Sequence, residues 1–312
     1  MKLWDVIHSY TTLKKAMGAS FRETGGLLAA FSRAMGEDVD IAGISFDQVR
    51  AFATGPDGYS RRKHKALTGF YRYAVNRGYA TEAPLPSEVP KSSNQFVPHI
   101  YTQDEVRRLL DATSSYRKTN RCLEPHTFRA ILLLLYGAGL RVSEALSLTL
   151  ADVDLQAGVL TIRNTKFNKT RLVPLGPDLQ KALMRYAATR EQQHHSCDAS
   201  APFFVERAGT HVPYNTICHA FQTLRAQAGV ARADSSSCQP RMHDLRHTFA
   251  LHRLISWYRE GADVQRLLPR LSTYMGHIDI ASTQWYLTMT ADLLQEASAR
   301  FEQYAFQEVC HD

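Results

Sequence analysis

The segment MHDLRHTFALHR, Met242 to Arg253, sets His243, His247 and His252 among Arg246 and Arg253. On a helix, residues three or four apart share a face. His243 and His247, four apart, therefore have the spacing of a metal-binding pair. Arg246 stands between them, and a guanidinium keeps its charge and matches a phosphate. A metal would need further ligands. Asp244 would have to stand where a metalloprotease has its glutamate, and the nearest other cluster, His194-His195-Cys197, lies in a loop without pattern. Other polar residues sit where packing alone would not put them. Arg141 follows a Gly-x-Gly break and opens a helix beside a very apolar one, at the edge of a core where an unpaired guanidinium is costly. Lys166 lies in a polar turn, His277 follows Gly276 in YMGH, and Tyr286 comes nine residues later in ASTQWYLT. Singly, each is an ordinary structural or solvated residue. Their joint occurrence is what points to phosphate chemistry.

The elements that must position these groups are mostly helical. Residues up to about Tyr79 read as helices, the last being YSRRKHKALTGFYRYAVNRGY. There Leu67, Phe70, Tyr71 and Ala74 form an apolar face, Gly78 suits the helix end, and Arg61, Arg62, Lys63, Lys65, Arg72 and Arg77 crowd the remainder. Such a basic helix can grip a phosphate backbone or be a solvated charged face. The stretch TEAPLPSEVPKSSNQFVP, with Pro84, Pro86, Pro90 and Pro98, reads as an extended linker. Thr102 and Glu105 then form a capping box that opens a second domain. The expected division is 1–80 for a helical N-terminal domain, 81–98 for the linker and 99–312 for the second domain. In that domain HTFRAILLLLYGAG reads as a buried helix stopped by Gly137 and Gly139, and LRVSEALSLTLADV as a new helix directly after it. GVLTIRNTKFNKTRLVPLG reads as a β-hairpin, helices follow from Pro177, and Pro269 is expected to interrupt one of them. The fold class is thus mainly α with a small antiparallel β-sheet, in two domains.

Composition excludes several classes. The apolar run Ala130–Leu140 is about half of the roughly 20 residues a membrane-spanning helix needs. The N-terminal MKLWDVIHSYTTLKK has no apolar stretch of a secretory signal. Five scattered cysteines with no CxxC pair read as a reduced, cytoplasmic chain without a disulfide framework. The net charge of +7 leans toward an acidic partner such as nucleic acid.

Taken in order, the polar residues resemble those of the tyrosine recombinases, the phage-integrase family of site-specific DNA recombinases. The family's G-L-R-x-S-E segment matches Gly139-Leu140-Arg141-Val142-Ser143-Glu144. Its hairpin lysine ahead of an R-x-V-P-L strand matches Lys166 ahead of Arg171–Leu175, although Phe167 occupies a position that is often glycine and leaves Lys169 as an alternative. The H-x-L-R-H-T-F-A segment runs from His243 to Ala250, the G-H box is Gly276-His277, and Tyr286 follows at the distance of the nucleophile. The match covers about Tyr101 to Met289, with a segment between Arg246 and His277 that is longer than usual.

The resemblance implies an integrase-type catalytic domain behind a DNA-clamping N-terminal one, and cleavage and rejoining of DNA through a 3′-phosphotyrosyl bond. It implies Tyr286 as nucleophile, Arg141, Arg246, His243 and His277 around the phosphate, with either histidine able to help take the tyrosine proton, Lys166 as general acid and Glu144 as a brace for its helix and arginine. His247 is then expected to point elsewhere, toward a structural hydrogen bond. Arg241, His252 and Arg253 are left as surface or backbone-contact residues. No cofactor and no metal are expected. The implied partners are double-stranded DNA, other protomers in a homotetramer on paired sites, and accessory DNA-binding proteins, with the chain on the nucleoid rather than on a membrane. The C-terminal segment carries Leu293, Leu294, Ala297, Phe301, Tyr304 and Ala305 at helical spacing. It can pack on its own domain or, as the resemblance slightly favours, on a neighbouring protomer. Integration, excision and transposition of a mobile element stay open. So do relaxation of the type IB topoisomerase kind and a catalytically silent DNA-binding regulator.

Overall fold

The computed structural model describes residues 1–19, 21–36, 38–86, 97–116, 123–163, 170–232, 238–277, 279–288, 293–299 and 302. Among these, the chain divides into two compact units, Met1–Val97 and everything from Pro98 onward. The stretch expected as linker falls largely on 87–96, outside the described residues.

The first unit is built from α1 (Leu3–Ala16), α2 (Arg22–Met35), α3 (Phe46–Ala53) and α4 (Asp57–Asn76). Each is amphipathic, and the helical repeat brings Leu3, Val6, Ile7, Leu28, Phe31, Val49, Leu67, Phe70, Tyr71 and Ala74 into one core. Ser45 and Gln48 cap α3 reciprocally. Gly78, with φ +73°, closes α4, letting the Tyr79 N–H donate back to Ala74.

In the second unit α5 (Gln103–Ala112) starts at the Thr102–Glu105 capping box. Helix α6 (Pro125–Ala138) opens on a proline and buries residues on most of its circumference, among them Phe128, Ile131, Leu132, Leu134 and Leu135. It runs through Gly137 and ends at Gly139, whose φ is +61°. The segment after it is not one helix. α7 (Val142–Leu146) is short, a 3-10 turn covers Leu150–Asp152, and β1 (Val153–Asp154) follows. The cause is local: the Asp152 carboxylate accepts from both the backbone N–H and the hydroxyl of Thr149, which starts a fresh turn there. β1 pairs antiparallel with β2 (Val159–Ile162), and β2 with β3 (Arg171–Pro174), in register from Val159 opposite Pro174 to Ile162 opposite Arg171. The hairpin's turn, with Lys166 and Lys169, lies in 164–169, outside the described residues.

Beyond the sheet come α8 (Pro177–Gln192), α9 (Tyr214–Gln227), α10 (Asp244–Arg259), α11 (Val264–Met275) and α12 (Ala281–Gln284), the last continued by a 3-10 turn, Trp285–Thr288. Helix α6 packs between α8 and α10. Pro269 does not interrupt α11. It lacks one backbone donor, but the stripe Val264, Leu268, Leu271 and Met275 is buried on the same helix and outweighs that loss. The C-terminal helical stretch 293–299 lies on its own unit: Leu293 is buried in the cluster of Phe249, Leu254, Met275 and Tyr286, and Glu296 pairs with Arg259 at 2.7 Å. Phe301, Tyr304 and Ala305 lie outside the described residues.

Because Pro269 is exposed and sits mid-helix, replacing it should restore a hydrogen bond without opening a cavity. Pro269→Ala should raise stability by about 1–2 kcal/mol, the helix gain less the entropy proline removes from the unfolded chain. A urea titration followed by far-UV circular dichroism reads this directly. An unchanged or lower midpoint would show that α11 has adapted to the proline.

Candidate active site

Two glycine-capped helix ends shape the site. Gly139 closes α6 and Gly276 closes α11, each in the left-handed region with φ +61° and +68°. Their last carbonyls have no partner inside the helix, and arginines take them. Arg246, on α10 and only 3% exposed, donates to the carbonyls of Gly139 and Met275. Arg141 donates to the carbonyl of Gly276 at 3.0 Å, and Arg171 to that of Tyr274 at 3.0 Å. A Cβ at position 276 would stand 2.7 Å from the Arg171 guanidinium, so the close approach requires glycine there.

Glu144 joins the frame. Its carboxylate accepts the Arg141 backbone N–H at 3.0 Å, the Arg141 Nη1 at 2.6 Å and both terminal nitrogens of Arg171, at 3.1 and 2.8 Å. The side chain is 8% exposed. Burial pushes its carboxyl up, yet Arg171 and Arg141 outweigh burial and hold it down to about 2. Arg171 was legible in the sequence only as part of a strand; the inward alternation at the end of β3 is the signal that could have found it.

The nucleophile candidate lies beside this frame. Tyr286 is 2% exposed, on the 3-10 turn after α12. His247 Nδ1 lies 2.9 Å from its phenolic oxygen. His243, one helical turn earlier, meets the His247 ring edge-on at 5.2 Å between centroids. The His277 ring stacks toward Tyr286 at 6.2 Å, with its Nδ1 at 2.7 Å from Thr283 Oγ1. His247 therefore does not point away, as the sequence led us to expect. It shares a face with His243 through the four-residue spacing, and that same spacing was the signal for it.

Electrostatics follow from burial among cations. Burial, with the neighbouring histidine and arginines, lowers His247 and His277 to about 4 and lowers His243 as well. All three are neutral near pH 7 and able to receive a proton. Burial also lowers Arg246 to about 10, with Arg141 adding to the effect. Burial raises the Tyr286 phenol while Arg246 and Arg141 pull it down. The arrangement is positive and dry, and it favours an anion that brings negative charge to the arginines.

Arg141, His243, Arg246, His277 and Tyr286 thus come together in one unit, braced by Glu144, whereas Lys166 lies outside the described residues. Among the described residues, no group of three or more His, Cys, Asp or Glu side chains is placed to hold a metal ion. His195 and Cys197 stay on a surface loop. Arg241 pairs with Asp244 at 2.9 Å, and His252 lies 3.0 Å from the Tyr136 hydroxyl. In the first unit, Arg61, Arg62, Lys65 and Arg72 line a cavity of about 720 Å³ with Tyr10, Phe21 and His64. Lys63 is used otherwise: it donates to the carbonyls of Phe52 and Thr54 and lies over the Phe52 and Tyr59 rings. Arg77 rests on Tyr73 at the helix end.

Comparison with known proteins gives the family. A model of the phage integrase family matches residues 100–292. The putative integrase/recombinase y4rB of Sinorhizobium fredii is 36% identical over 305 residues, 96% of each chain. The tyrosine recombinase XerA of Thermococcus kodakarensis is 31% identical over 253 residues, 78% of this chain and 77% of its own. Among solved structures, the Tn1549 transposon integrase in complex with a circular intermediate DNA superposes with a TM-score of 0.67 at 16% identity, covering 96% of this chain and 99% of that one. A lambda integrase dimer bound to a COC′ core site gives 0.64 at 16% identity, covering 93% and 97%. The chain belongs to the phage integrase family. It is a tyrosine recombinase, an enzyme of site-specific DNA recombination that cleaves and rejoins DNA strands.

The Glu144 carboxyl sets a pH dependence. Its value falls from 4.5 to about 2 on folding, which corresponds to about 3 kcal/mol of stability. That stability is complete above the ordinary carboxylate range and fades as pH drops from about 4.5 toward about 2. Glu144→Gln should therefore unfold at lower urea than wild type at pH 7, with the gap narrowing as pH falls below about 4.5 and closing only near about 2. A gap that stays constant across this range would mean that the charge of Glu144 is not what holds the frame.

Proposed function

We propose that Tyr286 is the nucleophile and that strands are exchanged through a 3′-phosphotyrosyl bond, in the integration, excision or transposition of a mobile element. The observation that carries this reading is the convergence of the Tyr286 phenol with Arg246, Arg141, His243 and His277, drawn from separate elements of one unit. Two further observations support it: the resemblance over 96% of its length to a putative integrase/recombinase and the shared fold with a transposon integrase.

The chemistry follows from charge. A phosphodiester carries one negative charge and its pentacovalent transition state nearly two, so fixed cations aimed at the non-bridging oxygens stabilise the transition state more than the substrate. Arg141 and Arg246 supply planar forks that match phosphate, and His243 and His277 add hydrogen bonds. With a reference value of about 10, only roughly a thousandth of a tyrosine is ionised near pH 7, so its proton must leave during attack. Lys166, or Lys169 if the hairpin register is shifted, protonates the departing 5′ oxygen. The phosphotyrosyl bond conserves the energy of the broken diester, so the route needs neither metal nor nucleotide. Double-stranded DNA is the partner in this reading. Arg61, Arg62, Lys65 and Arg72 bind its backbone, Arg77 is a weaker contributor, and protomers assemble as a tetramer on paired sites in the cytoplasm.

A nicked suicide duplex carrying the flanking sequences of the element tests the reading. Wild type in EDTA should give a covalent protein–DNA band on a denaturing gel, and Tyr286→Phe none. Arg141→Ala and Arg246→Ala should slow formation of the band on the order of a hundredfold or more. Tight binding without a band would favour a silent regulator. Relaxation of a supercoiled plasmid that lacks any paired site would favour a topoisomerase.

A further inference from the structure

Among the described residues, the histidine within hydrogen-bond distance of the Tyr286 hydroxyl is His247, at 2.9 Å from Nδ1 to the phenolic oxygen. His243 reaches the ring of His247 rather than that oxygen, and the Nδ1 of His277 lies against the hydroxyl of the buried Thr283. We infer that His247 is the base of strand cleavage, with Nδ1 receiving the phenolic proton of Tyr286. The inference rests on the reading of Tyr286 as nucleophile.

The proton inventory closes. Before attack the neutral imidazole carries its proton on Nε2, and the phenol donates to Nδ1. As the bond from the Tyr286 oxygen to phosphorus forms and the bond from phosphorus to the 5′ oxygen breaks, the phenolic proton passes to Nδ1. His247 becomes an imidazolium, and the 5′ oxygen leaves with a proton from the hairpin lysine. Rejoining reverses each transfer: the 5′ hydroxyl returns its proton to the lysine, and His247 returns its own to the phenol.

The surroundings make this base depend on substrate. Facing His247 are Arg241, His243, Asp244 and Arg246 from α10 and the turn before it, His277 from the end of α11 and Tyr286 from the turn after α12. Burial, with His243, Arg241 and Arg246, outweighs the opposing pull of Asp244, so an imidazolium here is disfavoured until a further anion arrives. A seated phosphodiester supplies negative charge, and its transition state supplies more, so the proton is accepted when the phosphate is in place. The same cations make it a loosely held proton, which suits a step that must run backward as readily as forward.

Single-turnover cleavage of the suicide duplex between pH 6 and 10 tests the inference with three variants. His247→Asn keeps a polar atom near Nδ1 but cannot take a proton, and it should cleave a hundredfold or more slowly at pH 7. Its deficit should shrink with rising pH as the phenol ionises unaided. His247→Ala should regain rate with added imidazole, whereas Tyr286→Phe should not. On a duplex whose scissile 5′ oxygen is replaced by sulfur, a leaving group that needs no proton, Lys166→Ala should recover and His247→Asn should stay slow. Cleavage by His247→Asn within a few-fold of wild type would overturn the inference, as would a deficit constant with pH and untouched by imidazole. Absence of any adduct from wild type would instead sink the reading of Tyr286 itself.

Discussion

Guanidiniums can be gathered side by side only if something holds them there beforehand. Here the holding groups are one carboxylate and the ends of two helices. Glu144 takes Arg141 and Arg171 together, and the carbonyls at the ends of α6 and α11 take Arg246, Arg141 and Arg171. Helix C-termini carry partial negative charge and carbonyls without intrahelical partners, so they satisfy guanidiniums without neutralising them. A second carboxylate in place of these carbonyls would cancel the positive field that the guanidiniums make. The left-handed glycines at 139 and 276 are part of the same solution, because each ends its helix sharply enough to expose the carbonyls. At 139 there is also no room for more: a Cβ would meet the Phe249 ring at 2.3 Å.

Tyr286 is held by a different logic. A phenol that is 2% exposed is shielded from water by the apolar cluster of Phe249, Leu254, Leu271, Met275 and Leu293. Burial raises its pKa, and the arginines of the frame counter that. The histidines next to it are kept neutral by burial and by those same arginines. One set of charges therefore does two things at once, lowering the phenol and keeping its neighbours able to accept a proton.

What could be read from the sequence was whatever is local. The apolar face of α4, the Thr102–Glu105 cap, the Gly139 stop and the hairpin strands each depend on residues within a turn or two, where periodicity and capping rules apply. Arg141, His243, Arg246, His277 and Tyr286 were recognisable through their segments and order, not through any contact among them. What escaped was long-range or competitive. Arg171 gains its role from Tyr274, more than a hundred residues away, and from Glu144. His247 was set aside with the metal reading although its four-residue relation to His243 put it on the same face. Pro269 looked like a helix breaker because propensity is local, while the burial that overrides it is not. The helix expected after Arg141 ended early because Asp152 caps a new turn through Thr149.

The basic helix of the first unit shows the same division on its surface. All six of its lysines and arginines looked alike as a charge run, yet the fold sorts them. Lys63 finishes α3 by covering two carbonyls and lies over two aromatic rings, a use that fixes its position and withdraws it from a ligand. Arg61, Arg62, Lys65 and Arg72 instead share one concave face with Tyr10 and Phe21. Arg62 there pairs with Glu23, with both side chains about two-thirds exposed, an arrangement worth little in water. A pair held that weakly can exchange its carboxylate for a phosphate at small cost. A concave set of exposed cations beside aromatic rings differs from a uniformly charged cylinder in that it can fix where an anion sits as well as attract it.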